Sequence, residues 1–458
     1  MNHRPVDSRG SLDAYQRMQI LRNSKMQDTG AMRKNPLLSK LLAVAILFSL
    51  LPVLTFAQAS NAVPLQPGNV ASRITQAIDE SQLTLLKGNT HPLARTEFDR
   101  GAATSGMTLH RMLLSLKRSP EQESALKQFL MDLQDKSSPN YHQWLTPDGF
   151  GRQFGPSDQD MHTVIMWLES HGFQVTSVTK GRTVIEFTGT VSQVNDAFHT
   201  QIHKYSVQGE EHWANASDPK IPAALTPVVA GVATLHNFVK KSHLKNTGMV
   251  GRGLSKAGAK PAITFNGGDH GVGPADFAKI YNVPNVFNGG ATNGDGVTIA
   301  VVGRSNINAS DVQDFRTLFG VPNAFTSSNI VLNGPDPGNL GGGEEFEAVL
   351  DATWSGVAAP NAVVKFVVSQ TTETTDGVDL SEVFIIDNNL GPVMTESFGL
   401  CEALAGNAQA ATEASVAEQA AAQGITFISS TGDAGASGCD DPNSETVATQ
   451  PIGVQIPA

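Results

Sequence analysis

Residues 344–354 read Glu-Glu-Phe-Glu-Ala-Val-Leu-Asp-Ala-Thr-Trp, which sets two carboxylates, Glu347 and Asp351, four positions apart in an otherwise apolar run. On a helix such a pair lies about 40° apart and close enough to touch, while Phe346, Val349, Leu350 and Thr353 share another face. Like charges at this spacing destabilise a helix unless a proton is shared between them. Two neighbouring carboxyls push one pKa upward, and the pair then exchanges a proton near mildly acidic pH. Such a pair can act as a general base where histidine would already be protonated. The same spacing also fits a solvated acidic face. A second candidate is Asp433, where the apolar stretch opening FISSTGDAGASGCD (427–440) runs into a glycine-flanked acid. Kept protonated, its carboxyl could donate a hydrogen bond to a developing oxyanion. A plain Asp-Gly turn is the other reading. The two cysteines, Cys401 and Cys439, are expected to form a disulfide in an exported chain, since a metal site would want further ligands nearby.

These residues need elements to hold them, and the second half of the chain has the pattern. Buried-type strands are expected at 296–303 (GVTIAVVG), 362–368 (AVVKFVV), 392–397 and 425–429, with helices between them at 345–356, around 380–388 and at 408–423. Strands alternating with helices argue for an α/β fold with a parallel sheet covered on both faces. Ligands in such sheets gather where strands end and helices begin, which is where Asp433 falls.

The first half is organised differently. Ser157-Asp158-Gln159-Asp160 reads as an N-cap with an acid at the third helical position, followed by Met161, Val164, Ile165 and Leu168 on one face. Strand patterns at 173–178 and 183–188 and a helix with Val191, Val194 and Phe198 on one side complete a small α+β sandwich within 108–238. From 239 to 260 the chain is rich in Lys, Arg and Gly without an apolar period, and is expected to be an exposed linker open to proteolysis. Near the start, an apolar run at 41–56 follows Lys34 and Lys40 and ends in Ala57-Gln58-Ala59. This is the pattern of an export signal cleaved after Ala59. A membrane span needs about 20 apolar residues, and Pro52 interrupts this run. Residues 1–31 are long and polar for the head of such a signal, whereas a start at Met32 gives an ordinary one. They are read as an extension ahead of the true start.

Charge is divided sharply along the 458 residues. From 261 onward Lys279, Arg304, Arg316 and Lys365 stand against 23 acidic residues, a net of -19, while the rest carries +8. An acidic half and a basic half suggest that the two face each other, and the acidic half is a poor partner for nucleic acid. A highly soluble or acid-adapted surface is the plainer reading.

Taken together, Glu347-Ala-Val-Leu-Asp351, the downstream GVAAPNAVVKFVVS, the strand-end ESFG and SSTGDAGA resemble the sedolisin (kumamolisin-like) serine-carboxyl peptidases. Upstream, SSPNYHQWLTPDGFGRQFGPSDQD and WLESHGF resemble the activation prodomain of that family, and PADFAKIYNVP (274–284) looks like the start of its mature enzyme. The likeness implies a subtilisin-like peptidase domain at 262–458, a prodomain at 60–238 and a cleavable linker at 239–261, behind a signal at 32–59. It further implies a secreted zymogen that cleaves protein or peptide substrates at acidic pH through a Ser-Glu-Asp triad, with its own prodomain as inhibitor. By position, Glu347 would take the proton of the nucleophile, Asp351 would orient Glu347 and share its charge, and Asp433 would be the oxyanion donor.

The family's serine stands in a Gly-Thr-Ser motif after the GDxGA loop, and its calcium site comes later still. No Gly-Thr-Ser occurs in this sequence, which stops at GVQIPA where the resemblance expects another strand. The expectation is a C-terminally truncated chain without its nucleophile or its calcium ligands, inactive by itself. The alternative is a non-catalytic secreted relative that acts by binding or not at all. Other peptidase classes fit poorly. An aspartic peptidase wants Asp-Thr/Ser-Gly twice, and His270 sits in a glycine-rich loop where a histidine-dependent subtilisin wants one opening a helix.

Overall fold

The computed structural model describes residues 70–458 apart from 243, 246–262, 265–269, 442, 444–446, 451 and 458. The expected signal at 32–59, the extension 1–31 and most of the linker lie outside the described residues.

The first half is built around β1 (Thr108–Leu116), whose long apolar run reflects burial on both sides. It lies inside an antiparallel sheet of order β2-β3-β1-β4, with β2 (Gln174–Val178), β3 (Val184–Thr190) and β4 (Val229–Val232). Alternate side chains of a strand point to opposite faces. Met112, Leu114 and Leu116 therefore join Ile185 and Phe187 in one core. The helices of this half are α1 (Pro120–Gln134), α2 (Pro147–Phe154), α3 (Asp158–Ser170) and α4 (Val191–Phe198). Val164 and Leu168 of α3 and Val194 and Phe198 of α4 fill that core, as their spacing predicts.

The cap of α3 holds a difference. Ser157 Oγ accepts from Asp160 N at 3.1 Å, as expected of an N-cap. The Asp160 carboxylate does not turn back to the cap. It accepts from Ser72 Oγ (2.7 Å), Arg73 N (3.0 Å) and Ile74 N (2.9 Å), tying the incoming strand to the helix. Burial alone would raise this carboxyl, but these donors hold it below its ordinary value.

The acidic half adds α5 (Pro274–Ile280), α6 (Ala309–Phe319), α7 (Gly342–Ala358), α8 (Gly377–Asp387) and α9 (Glu402–Ala422). Its sheet is five-stranded and parallel, in the order β6-β7-β5-β8-β9. The strands are β5 (Thr298–Gly303), β6 (Ile330–Leu332), β7 (Val363–Val368), β8 (Val393–Glu396) and β9 (Thr426–Ser429). Ile299 and Val301 pack with Val312 of α6 and Ala348 and Ala352 of α7, while Ala300 and Val302 face Ile385 of α8 and Val416 of α9. Apolar side chains on both faces explain the continuous runs read in the sequence. The α/β fold class is thus as expected, although α6, α1 and the edge strand β6 were not read from the sequence. Cys401, at the head of α9, is bonded to Cys439, their Cα atoms 4.9 Å apart. Among the described residues no helix is long and apolar enough to cross a membrane.

The two halves share a face. Leu113, on the second side of β1, packs with Val184, Ala233 and Leu380 of α8, and Ser115 Oγ lies 2.6 Å from the Thr412 hydroxyl of α9. Charge is complementary across this contact. Arg118 pairs with Glu418, His110 lies 2.9 Å from Glu373, and the backbone N–H groups of Lys180 and Gly181 both donate to Asp387. The expectation of an exposed linker fails at its beginning, because Lys240 is 0% exposed. Its ammonium is drawn inside by acids that the composition of the linker could not reveal. Replacing Asp160 with Ala leaves three donors at the start of the first half without their acceptor, a loss of about 2–3 kcal/mol. The Asp160→Ala chain is expected to melt several degrees below the parent in a calorimetric scan, whereas Asp158→Ala, at an exposed neighbour, should not.

Candidate active site

α7 begins at a run of glycines in which Gly341 and Gly342 take positive φ (68° and 58°), a conformation open to glycine and strained for most other residues. Ala348 and Ala352 meet the sheet, while Phe346 is 48% exposed. Small side chains let the helix lie close to the strands, and this turns the carboxylates inward. Glu347 is 3% exposed and Asp351 half-buried, so the solvated acidic face is excluded.

The end of β8 reaches the pair. Ser397, the residue after β8, donates from Oγ to Asp351 Oδ1 at 2.7 Å. Glu347 Oε2 and Asp351 Oδ2 are buried and have no donor of their own, which a proton held between the two carboxyls would satisfy. Burial, followed by the charge of Asp351, pushes the Glu347 carboxyl up to about 8, with Asp433 adding to the shift. Burial also lifts Asp351, to about 7, against the hydrogen bonds from Ser397 and Glu347. The two titrate as one unit, both shifted toward the protonated form.

Asp433 lies in the loop after β9, between Gly432 (φ 71°) and Gly435 (φ 59°). The disulfide closes this loop onto the head of α9. Asp433 Oδ2 accepts from Lys245 N at 2.8 Å. The three acids singled out in the sequence thus meet at the carboxyl ends of the strands, from one helix and one strand-end loop, with the end of β8 between them. A piece of this same chain reaches Asp433 and the end of β8. Lys241 and Gly399 exchange both backbone hydrogen bonds at 2.9 Å in an antiparallel bridge, and Arg304 Nη1 donates to Lys240 O at 2.7 Å.

Beside this crossing the Lys240 ammonium is ringed by Asp379 (3.1 Å), Glu382 (3.2 Å), Glu396 (3.1 Å) and Glu413 (2.6 Å). Carboxylate oxygens of Asp379, Glu382 and Glu413 lie within 4.8 Å of one another, a spacing that could hold a metal ion. Here the lysine supplies the positive charge, so these residues do not fit the calcium site implied by the resemblance. Sequence reading passed over Lys240, its four acids and the Ser397 hydroxyl. A signal was present, in that Glu382 interrupts the apolar helix GVDLSEVFIID and Glu396 ends an apolar strand.

Comparison with known proteins follows from this geometry. Residues 98–238 match the pro-kumamolisin activation domain. The chain is 25% identical over 344 residues to sedolisin of Pseudomonas sp. (strain 101), covering 74% of this chain and 56% of that protein. It is 27% identical over 407 residues to xanthomonalisin of Xanthomonas sp. (strain T-22), covering 84% and 46%. It is also 27% identical over 321 residues to human tripeptidyl-peptidase 1, covering 69% and 54%. Among solved structures, Pseudomonas sedolisin complexed with pseudo-iodotyrostatin aligns with a TM-score of 0.30 at 21% identity, over 41% of this chain and 50% of that one. In its activation domain and in these relatives the chain is similar to the sedolisin family of peptidases. It spans about half the length of the relatives it matches.

Glu347 and Asp351 hold protons more tightly in the folded chain than in the unfolded chain, where carboxyls titrate near 4. Their contribution to stability is therefore complete below about pH 4 and is lost as pH rises through about 7–8. The Glu347→Gln chain, which has one of the two titrating carboxyls removed, should show a flatter fall in melting temperature between pH 6 and 8 than the parent. Parallel profiles for the two would contradict the buried pair.

Proposed function

We propose that residues 262–458 are part of a serine-carboxyl peptidase that hydrolyses peptide bonds at acidic pH, made as an exported precursor with residues 60–238 as its activation prodomain. The observation that supports this most is the buried pair Glu347–Asp351, with Asp433 near enough to raise Glu347 and the chain's own Lys245 donating to Asp433. In the cleavage step, Glu347 would accept the proton of an attacking serine hydroxyl, and Asp351, held by Ser397, would keep Glu347 oriented and share the charge. Asp433, protonated in acid, would donate to the oxyanion that develops on the attacked carbonyl. The nucleophile belongs to the Gly-Thr-Ser segment implied by the resemblance, which residues 1–458 do not contain.

Burial favours the protonated pair, and a protonated pair cannot act as a base. Admission of water to the pair would favour the carboxylate and arm the site at lower pH. The export signal at 41–59 fits the same reading, with the secreted form beginning at Ser60.

The test is to express the complete reading frame that contains these residues and follow hydrolysis of a denatured protein from pH 3 to 7. Activity is expected on the acidic side. Glu347→Gln and Asp351→Asn should each lower kcat/KM by about 10²–10⁴-fold. Asp433→Asn should lower it by about 10²–10³-fold, mainly through kcat. Absence of hydrolysis at every pH, with the protein folded, would leave a binding protein and not a peptidase.

A further inference from the structure

The acids around Lys240 do more than the family reading asks of them. Asp379 and Glu382 come from α8, Glu396 from β8 and Glu413 from α9, so the pocket is complete without any residue of the first half. We propose that this pocket recognises a basic side chain of the substrate, lysine above all, and that Lys240 occupies it in place of substrate. The inference rests on the peptidase reading given above.

The way the segment is held argues for this. An extended peptide adding to an exposed strand is bound through its backbone, and its side chains are read by pockets. Lys241 makes the two-way backbone exchange with Gly399, Lys240 N donates to Asp376 at 2.8 Å, and Lys245 N meets Asp433. Any peptide could make these contacts. The pocket is different, because four acidic side chains converge on one point and offer acceptor oxygens and negative charge to a cation. Lys240 Nζ lies 2.6–3.2 Å from all four, and its side chain is 0% exposed. A neutral side chain there would leave buried acids facing one another without a counter-charge. A site built around a charged hydrogen-bonding group rejects analogues that lack it.

The direction of the segment sets the expected register. It runs from the pocket at Lys240, past Gly399 at Lys241, to Asp433 at Lys245. A substrate lying the same way would place its lysine on the amino-terminal side of the cleaved bond, within about five residues of it. At the mouth of the pocket Leu113 and Ala233 of the first half pack on Leu380, so departure of that half would open the way in.

Two measurements test the assignment. In the first, the acid-processed product of the complete reading frame is profiled on a peptide library varied on the amino-terminal side of the cleaved bond. Lysine should be favoured over alanine by ~10–100-fold at one fixed position, and Glu382→Gln/Glu396→Gln should abolish that ratio. Cleavage with no basic preference there overturns the pocket and leaves the peptidase reading intact. No cleavage of any peptide overturns both. The second needs no activity. The chain of residues 1–458 carrying Lys240→Ala should melt below the parent, and n-butylammonium should restore several degrees that sodium chloride of equal ionic strength does not. Without an amine-specific recovery the pocket does not bind an alkylammonium, and the proposal fails.

Discussion

An ammonium group shut away from water must find its counter-charge inside the protein, and the position where Lys240 finds it governs much of the rest. Isolated burial of a charge is prohibitive, and removing one partner of a buried pair typically destabilises by about 3–5 kcal/mol. Lys240 therefore has one place to go. Once it is fixed among Asp379, Glu382, Glu396 and Glu413, the next residue falls opposite Gly399, and Lys245 falls at Asp433. The fit of β1 against α8 and α9 brings the segment to that point, and complementary charge between the halves supports it.

The same low-dielectric setting acts on two groups of acids in the same direction, and a cation makes the difference between them. Burial raises Asp379, Glu382 and Glu396, and the Lys240 ammonium pulls each back toward its charged form. In the Glu347–Asp351 pair no such cation offsets burial, and both are shifted toward the protonated form.

Much of this was legible in the sequence, and the exceptions have physical causes. The central strands β5 and β7 were readable because burial on both faces demands unbroken apolar runs. Edge strand β6 was not, since three residues half-exposed to solvent carry no such demand. Glu347, Asp351 and Asp433 were recognisable as a set because their spacing and strand-end positions matched a family pattern. The buried face of α7 was not assigned from the sequence, because apolar side chains lie on more than one side of it and close approach to the sheet favours Ala348 and Ala352. Asp160 was seen as a cap residue, but its real partners lie 86–88 positions away. The Lys240 pocket was invisible for the same reason. Its acids are scattered over 35 residues and gathered by the fold, and a basic linker gives no sign of which lysine is claimed.

The antiparallel bridge between Lys241 and Gly399 has a kinetic consequence. While the segment is joined to both halves, it competes for the cleft at an effective concentration set by its tether, of order millimolar for a short flexible connection. Free peptides would have to exceed that level to enter. Once the tether is cut, rebinding becomes bimolecular and depends on how far the two pieces are diluted. A chain held this way would respond to the volume around it: crowded, the two pieces re-form their complex, and dispersed, they do not.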